Sequence, residues 1–367
     1  MSTPTLSLMV VPNGAFPDAM PSILVDHGGV WRDMSSTGQR MSDVIGTLNQ
    51  FLEGLSQLIG THDLPAEHVM ITNTFNQVFD LIVPQKVRDL FAETLQAAGQ
   101  ETPLLRIHTQ SSNEWIPWEV LRDGTDLLGF RFKIARLPIV PHILPATNNQ
   151  PHQVRKVSNF LGQDVLDPAQ RQQWESTFSG LINPAVEQLF PAQGDTVNYP
   201  DLQLVAQNYQ NADILHVMCH GMKEKETVYL TLNHRSAPAK SILFNITTTS
   251  LNSFTFGTRP LIFGNGCASS GAVGANQPGL MPPGIGASFF SRGALNFVGT
   301  FAPVTKTMAL NFARKFYEHL LGQNGQPGLP IAEALWATKQ HFRQANANDP
   351  SYLFYCLYGP AETTYQT

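Results

Sequence analysis

One cysteine and one histidine have the surroundings that catalysis requires, because each follows an apolar segment suited to a buried strand. Cys267 comes after LIFGNG, and His220 comes after ILHVMC. A thiol attacks readily only after it loses its proton, and a nearby imidazole can accept that proton. The two residues therefore predict a catalytic dyad, with Cys267 as nucleophile and His220 as general base.

Glycines stand next to both residues of the predicted dyad. Gly221 follows the histidine, and Gly266 precedes the cysteine. A residue without a side chain lets a substrate approach the backbone, and backbone N–H groups can stabilise negative charge on a scissile carbonyl. We therefore predict an oxyanion hole formed by the amides of Gly221 and Cys267. Hydrolysis by this route proceeds through an acyl-enzyme and requires no cofactor or metal ion.

The same residues also have simpler interpretations. Cys267 could be a structural cysteine in a tight turn, and His216 a buried histidine that bonds to a neighbour. A zinc site of His216, Cys219 and His220 is disfavoured, because strand alternation directs the cysteine away from both histidines and no second cluster completes four ligands. Cys356 lies in an apolar segment and is expected in the core.

Longer motifs carry a family resemblance. ILHVMCHG is similar to the histidine motif of clan CD peptidases and LIFGNGCASSG to their cysteine motif, with the caspase-like separation of about 50 residues. More narrowly, the chain resembles the CHAT family of caspase-like, separase-related proteins through WIPWEVLRD, GIGASFFSRGALNFVGTFAPV and YLFYCLYGP. The resemblance implies a caspase-like fold and a cysteine endopeptidase that cleaves a protein substrate with a dyad.

The chain is expected to consist of two halves. The proline-rich segment 138–151, PIVPHILPATNNQP, is typical of a connection. We place the boundary there, between an α/β half, 1–150, and a catalytic half, 151–367. The resemblance implies that the first half is pseudo-protease-like and supports the second. It also implies control by a separate regulatory protein or ligand, in a prokaryotic defence or cell-death system.

Substrate preference is expected to differ from that of many relatives. Where they carry an aspartate that lines a pocket for arginine, this chain reads FAPVTK over 301–306. We place Asn265 and Lys306 in the substrate pocket, where the ammonium would repel arginine and favour an acidic or uncharged residue. A solvated lysine at the start of a helix is the alternative. The Gly- and Pro-rich segment 271–286 is either a loop that completes the groove or is cleaved, or an ordinary surface loop.

Composition narrows the class of protein further. A net charge of -5 with 14% charged residues offers no basic stripe for nucleic acid. Three cysteines at these spacings form neither a disulfide framework nor a zinc ribbon, which favours a reducing cytoplasm. The first residues lack the charged start of a signal peptide, and Arg292 interrupts the most apolar window, 284–304. We expect a cytoplasmic protein without a membrane segment.

Patterns along the chain predict an α/β fold, with a mostly parallel sheet covered by helices on both faces. Helical spacing predicts helices over 41–60, 85–98 and 306–321. HVMITN, 68–73, has the length and apolar content of a buried strand. MKEKET, 222–227, has the composition of a solvated turn, and its alternative is a segment that lines the substrate groove. Further apolar runs predict strands in PLLRIHT, FRFKIARL, ADILHVM, PLIFGN and ALNFVGT.

Two other functions compete with peptide hydrolysis. A catalytically silent pseudo-protease that acts as an interaction scaffold would tolerate the loss of Cys267. A small-molecule thiol hydrolase or acyltransferase with the same dyad would act on esters or amides but not on polypeptides.

Overall fold

A computed structural model describes most of the chain, including nearly all of the predicted strands and helices. The described residues are 3–11, 20–27, 29–34, 40–58, 68–109, 116–139, 151–161, 165–189, 211–224, 227–231, 245–246, 256–266, 286, 289–290, 292–323, 326–345 and 347–367.

Strands occur in both predicted halves of the chain. They are β1 Thr5–Val11, β2 Ser22–His27, β3 Val30–Asp33, β4 Leu104–Thr109, β5 Lys133–Pro138, β6 His152–Gln153, β7 Lys156–Leu161, β8 Glu187–Leu189, β9 Ile214–Met218, β10 His220–Glu224, β11 Thr227–Thr231, β12 Asn245–Ile246, β13 Leu261–Asn265, β14 Asn296–Thr300, β15 Tyr355–Tyr358 and β16 Tyr365–Gln366.

Within the described residues, eleven of these strands form one sheet, in the order β3-β2-β1-β4-β5-β15-β14-β13-β9-β7-β8. The strands of the first half meet those of the second where β5 pairs with β15. Strands β10, β11 and β12 form a separate antiparallel sheet, and β6 pairs with β16. Backbone hydrogen bonds therefore run continuously from the first half of the chain into the second.

The large sheet reverses direction in its interior. Strands β1, β4, β5 and β15 are parallel to one another, and β14 is antiparallel to β15. Strands β14, β13, β9, β7 and β8 are again mutually parallel. The carboxyl ends of β9, β13 and β14 therefore share one edge of the sheet, which we call the candidate edge, and the carboxyl ends of β4 and β5 lie at the other edge.

Helices pack against the sheet through apolar faces. They are α1 Met41–Leu58, α2 Val69–Ile82, α3 Gln85–Ala98, α4 Leu128–Arg131, α5 Pro168–Leu181, α6 Lys306–Leu321 and α7 Ile331–Gln344. Helix α6 shows the principle, because Ala309, Phe312, Phe316 and Leu320 recur at helical spacing and are all buried. No helix of the described segments has the length and apolar character to cross a membrane.

The three predicted helices and the predicted mostly parallel sheet are confirmed, but two local predictions are wrong. Residues 69–73, expected in a strand, begin helix α2, whose Ile71, Phe75, Val78 and Ile82 are buried at helical spacing. A window of six residues is too short to reveal that period. Residues 222–224, expected in a solvated turn, belong to strand β10, whose pairing with β11 overrides their charge.

Candidate active site

The candidate edge brings together the two segments that were predicted to carry the dyad. Strands β9 and β13 are parallel neighbours, and Met218 pairs with Asn265 in their register. His220 begins strand β10, after Cys219, and Gly266 is the last described residue before Cys267. Cys267 and the side chain of His220 lie outside the described residues. Because neighbouring strands are about 4.8 Å apart, both segments leave the sheet close together.

The end of β13 is held by hydrogen bonds from its neighbours. The side-chain amide of Asn265 donates to the carbonyl of Ala309 in α6, over 2.8 Å, and its oxygen accepts from the Tyr355 hydroxyl, over 2.7 Å. The hydroxyl of Thr300, at the end of β14, donates to the carbonyl of Gly266, over 2.7 Å. Three elements therefore fix the backbone that leads to Cys267.

Asn265 was predicted to line the substrate pocket. Its side chain is 2% exposed, and both of its amide atoms bond to protein groups in the core. We therefore infer that Asn265 holds the end of strand β13. Thr300 and Tyr355 were missed by sequence analysis, although each is a polar residue in an apolar strand, which is the signal that would have found them.

Lys306 begins helix α6. Its ammonium reaches the side-chain oxygen of Gln170 in α5, over 3.4 Å, and the residue is exposed. The helix itself is capped by Thr305, whose side chain accepts from the N–H of Met308. Gln170 in turn lines a groove between α5 and α6, together with Gln173, Thr177, Asn311 and Arg314.

Gly221 lies in strand β10, opposite Leu230 of β11. The hairpin starts immediately beyond the end of β9, so the predicted oxyanion-hole amide of Gly221 belongs to a hydrogen-bonded strand. The glycine- and proline-rich segment 271–285 lies outside the described residues, and the predictions made for it stay predictions.

His216 is a core residue beneath the candidate edge. It is fully buried, its ring stacks on Phe263 at 5.2 Å, and its Nδ1 lies 3.2 Å from the hydroxyl of Tyr317. Burial lowers the pKa of His216 to about 3, so the imidazole is neutral at physiological pH. Its Nε2 has no hydrogen-bond partner among the described residues. This histidine therefore packs in the core between the sheet and helices α5 and α6.

The two cysteines among the described residues are buried. Cys219 is 5% exposed, and Cys356 is inaccessible, with its thiol 3.4 Å from the carbonyl of Gly299. Cys356 is thus in the core, as predicted. Among the described residues no three side chains with metal-binding chemistry cluster.

A mostly parallel sheet flanked by helices, with the predicted motifs at the carboxyl ends of adjacent strands, defines a caspase-like α/β protein. The family model described as CHAT domain matches residues 77–358. Because this match covers more than half of the sequence, the chain belongs to the CHAT domain family.

This chain is also similar to solved structures. The Arg-specific cysteine proteinase gingipain R is similar over 78% of this chain and 69% of its own, with 10% identity and a TM-score of 0.51. Separase in the Saccharomyces cerevisiae separase–securin complex matches 86% of this chain at 14% identity, with a TM-score of 0.46. This chain spans only 22% of that separase chain. The pro- and mature-domain complex of Porphyromonas gingivalis RgpB matches 89% of this chain and 77% of its own, at 9% identity and a TM-score of 0.46. The comparison with curated proteins found no match.

Proposed function

We propose that this protein is a cysteine endopeptidase in which His220 takes the thiol proton and Cys267 attacks the scissile carbonyl. The thiolate sulfur bonds to the carbonyl carbon, the amine leaves with a proton from the imidazolium, and water then releases the acyl group. The amides of Gly221 and Cys267 stabilise the oxyanion. The substrate is a protein, and the cleavage needs no cofactor.

One observation carries this proposal. Each proposed catalytic residue follows its strand by the same interval, because His220 and Cys267 lie two positions beyond the register pair Met218 and Asn265. In a parallel sheet such positions leave adjacent strands at the same edge, where loops can present reactive side chains without disturbing the core. The family membership and the gingipain-like fold are consistent with this chemistry.

Covalent labelling tests the proposal. The purified protein is incubated with peptidyl electrophiles that differ at the residue before the cut, and the adduct is read by intact mass. We expect one adduct, lost in Cys267→Ala and strongly reduced in His220→Ala. The preference among electrophiles tests the expected influence of Lys306 on the pocket.

Matched controls separate chemistry from folding. Cys356→Ala removes a buried thiol elsewhere in the core, and His152→Gln removes a histidine beside Asp213, which precedes β9 at the opposite edge. Both variants should label like the wild type. If the wild type forms no adduct, alone or mixed with candidate partners, the protein is better explained as an interaction scaffold than as a peptidase. Labelling with cleavage of small esters but not polypeptides would favour the thiol hydrolase.

We also propose a setting for this activity. An unregulated peptidase would damage its own cell, so we propose control by a separate protein or ligand in a cytoplasmic defence or cell-death system of a prokaryote. Expression of the wild type with its regulator should be toxic, and Cys267→Ala should abolish the toxicity. Toxicity that persists in this variant would contradict the proposed role.

A further inference from the structure

We propose that Thr300 is a positioning residue, which orients the amide N–H of Cys267 toward the oxyanion by holding the carbonyl of Gly266. The inference deepens the proposed function and rests on it. It assigns a role to a side chain that comes from the neighbouring strand β14.

The contact is a short, buried hydrogen bond. The hydroxyl of Thr300 donates to the carbonyl oxygen of Gly266 over 2.7 Å, and Thr300 is completely buried. That length is typical of a well-formed O–H···O bond. The two strands are in parallel register up to the pair Gly264 and Gly299, so the bond continues the connection of β13 and β14 beyond their backbone ladder.

The geometry of the peptide group links this contact to the direction of the next backbone N–H. A peptide unit is planar and trans, so its C=O and the N–H that follows it point in opposite directions. Holding the carbonyl of Gly266 therefore sets the direction of the next N–H, which belongs to Cys267. The restraint matters here because glycine has unusual freedom in its backbone angles. The accepted hydrogen bond also polarises the amide and strengthens it as a donor.

The residue before the glycine is fixed independently. Asn265 bonds through both ends of its amide, to Ala309 and to Tyr355, and is 2% exposed. The ring of Tyr355 stacks on Phe312 of α6, with centroids 3.7 Å apart and planes 2° from parallel. The bonds of Asn265 therefore hold the backbone before Gly266. The Thr300 hydroxyl restrains the peptide unit that follows it.

Two reactions of the same thiol distinguish a misoriented amide N–H from a general disturbance of the site. Iodoacetamide alkylates sulfur by displacement of iodide and creates no oxyanion. A peptide aldehyde, with the sequence preferred in the labelling panel, forms a bond between sulfur and the carbonyl carbon. The carbonyl electron pair then moves to oxygen, which accepts a hydrogen bond from the amide and takes up a proton. Only the second reaction needs the oriented N–H.

The test compares the wild type with Thr300→Val, which keeps the shape of the side chain but cannot donate, and Thr300→Ser, which restores the hydroxyl. We expect Thr300→Val to weaken aldehyde binding roughly ten-fold, less than the full loss of an oxyanion donor. The alkylation rate should change by less than about two-fold, because it follows the thiolate population. Thr300→Ser should bind the aldehyde nearly as well as the wild type.

A buried threonine away from the site provides the folding control. Thr338 is completely buried in α7 and donates its hydroxyl to the carbonyl of Ala334, over 2.7 Å. Thr338→Val should leave aldehyde binding unchanged. Wild-type aldehyde affinity in Thr300→Val would overturn the inference, and so would equal losses in both reactions. A wild-type protein whose Cys267 reacts with neither reagent would instead overturn the proposed peptidase itself.

Discussion

Two buried polar clusters lie at opposite ends of the same short strand, β15, and they are built differently. The neutral cluster, Asn265, Thr300 and Tyr355, lies at the candidate edge, where Tyr355 begins β15 and pairs with Thr300. The charged cluster, Glu119, Arg136 and Lys339, lies near Tyr358, which ends β15 and pairs with Arg136. The guanidinium of Arg136 is 5.7 Å from the centre of the Tyr358 ring.

The neutral cluster satisfies its groups without burying a charge. The Tyr355 hydroxyl donates to the Asn265 amide, which donates to one backbone carbonyl, and the Thr300 hydroxyl donates to a second one. Such bonds contribute about 1 kcal/mol each and depend strongly on direction. A cluster of this kind positions a backbone segment accurately at little electrostatic cost, which suits the strand end that leads to the proposed nucleophile.

The charged cluster buries one carboxylate with two cations. Arg136 donates to both oxygens of Glu119, one of these bonds being 3.0 Å long, and all three residues are at most 3% exposed. Burial lowers the pKa of Lys339 to about 8, against the attraction of Glu119. Because the lysine comes from α7 and the other two residues from the first half, this cluster joins the two halves, and its stability depends on charge balance.

Breaking the charged cluster should have the largest effect on the free energy of unfolding. Glu119→Gln removes the carboxylate that attracts both buried cations of the cluster. We expect a loss of about 3–5 kcal/mol in the free energy of unfolding, measured in urea. The matched control is Glu333→Gln, which breaks the partly exposed ion pair with Lys133, 3.2 Å long, and should cost less than about 1 kcal/mol. Equal effects of the two variants would mean that burial does not make the charged cluster more sensitive than a partly exposed ion pair.

Removing the second cation should instead stabilise the protein. Lys339→Met keeps much of the side-chain volume, and at pH 7 we expect a gain of about 1–3 kcal/mol in the free energy of unfolding. Between about pH 8 and the ordinary value of 10.5, the unfolded chain holds a proton that folded Lys339 has lost. The stability of the wild type should therefore rise with pH in this window, by up to about 1.4 kcal/mol per unit, and Lys339→Met should abolish that rise.

An exposed lysine on α3 controls for the change of residue type. Lys86→Met should change neither the stability nor its dependence on pH. A Lys339→Met variant that is less stable at pH 7 would show that the attraction of Glu119 outweighs the cost of burying the ammonium.

A substitution in the neutral cluster should have the smallest effect on the free energy of unfolding. Tyr355→Phe removes the donor to Asn265 but keeps the ring that stacks on Phe312. We expect a loss of about 1–2 kcal/mol in the free energy of unfolding, because one buried acceptor loses its partner. Urea unfolding measures it beside Glu119→Gln. A loss as large as that of Glu119→Gln would mean that the two clusters do not differ in kind.

Much of the second half of the chain could be predicted from sequence. ADILHVM, PLIFGN and ALNFVGT are short apolar runs, and the helix that begins at Lys306 has apolar residues at the helical period, so pattern alone indicated their structure. The pattern failed for residues 69–73, where six residues fit a strand and a helix equally well. It also failed for residues 222–224, because the pairing of β10 with β11 depends on a partner strand that composition does not reveal.

The sequence by itself determined that a cysteine and a histidine follow two buried strands, because the order of apolar and polar residues is local information. Only the tertiary structure decided which side chains hold those strand ends. Asn265 and Tyr355 are 90 residues apart in sequence, and Gly266 and Thr300 are 34 apart. Their hydrogen bonds exist because strand order and register bring β13, β14 and β15 side by side, and neither order nor register can be read from the period of a single segment.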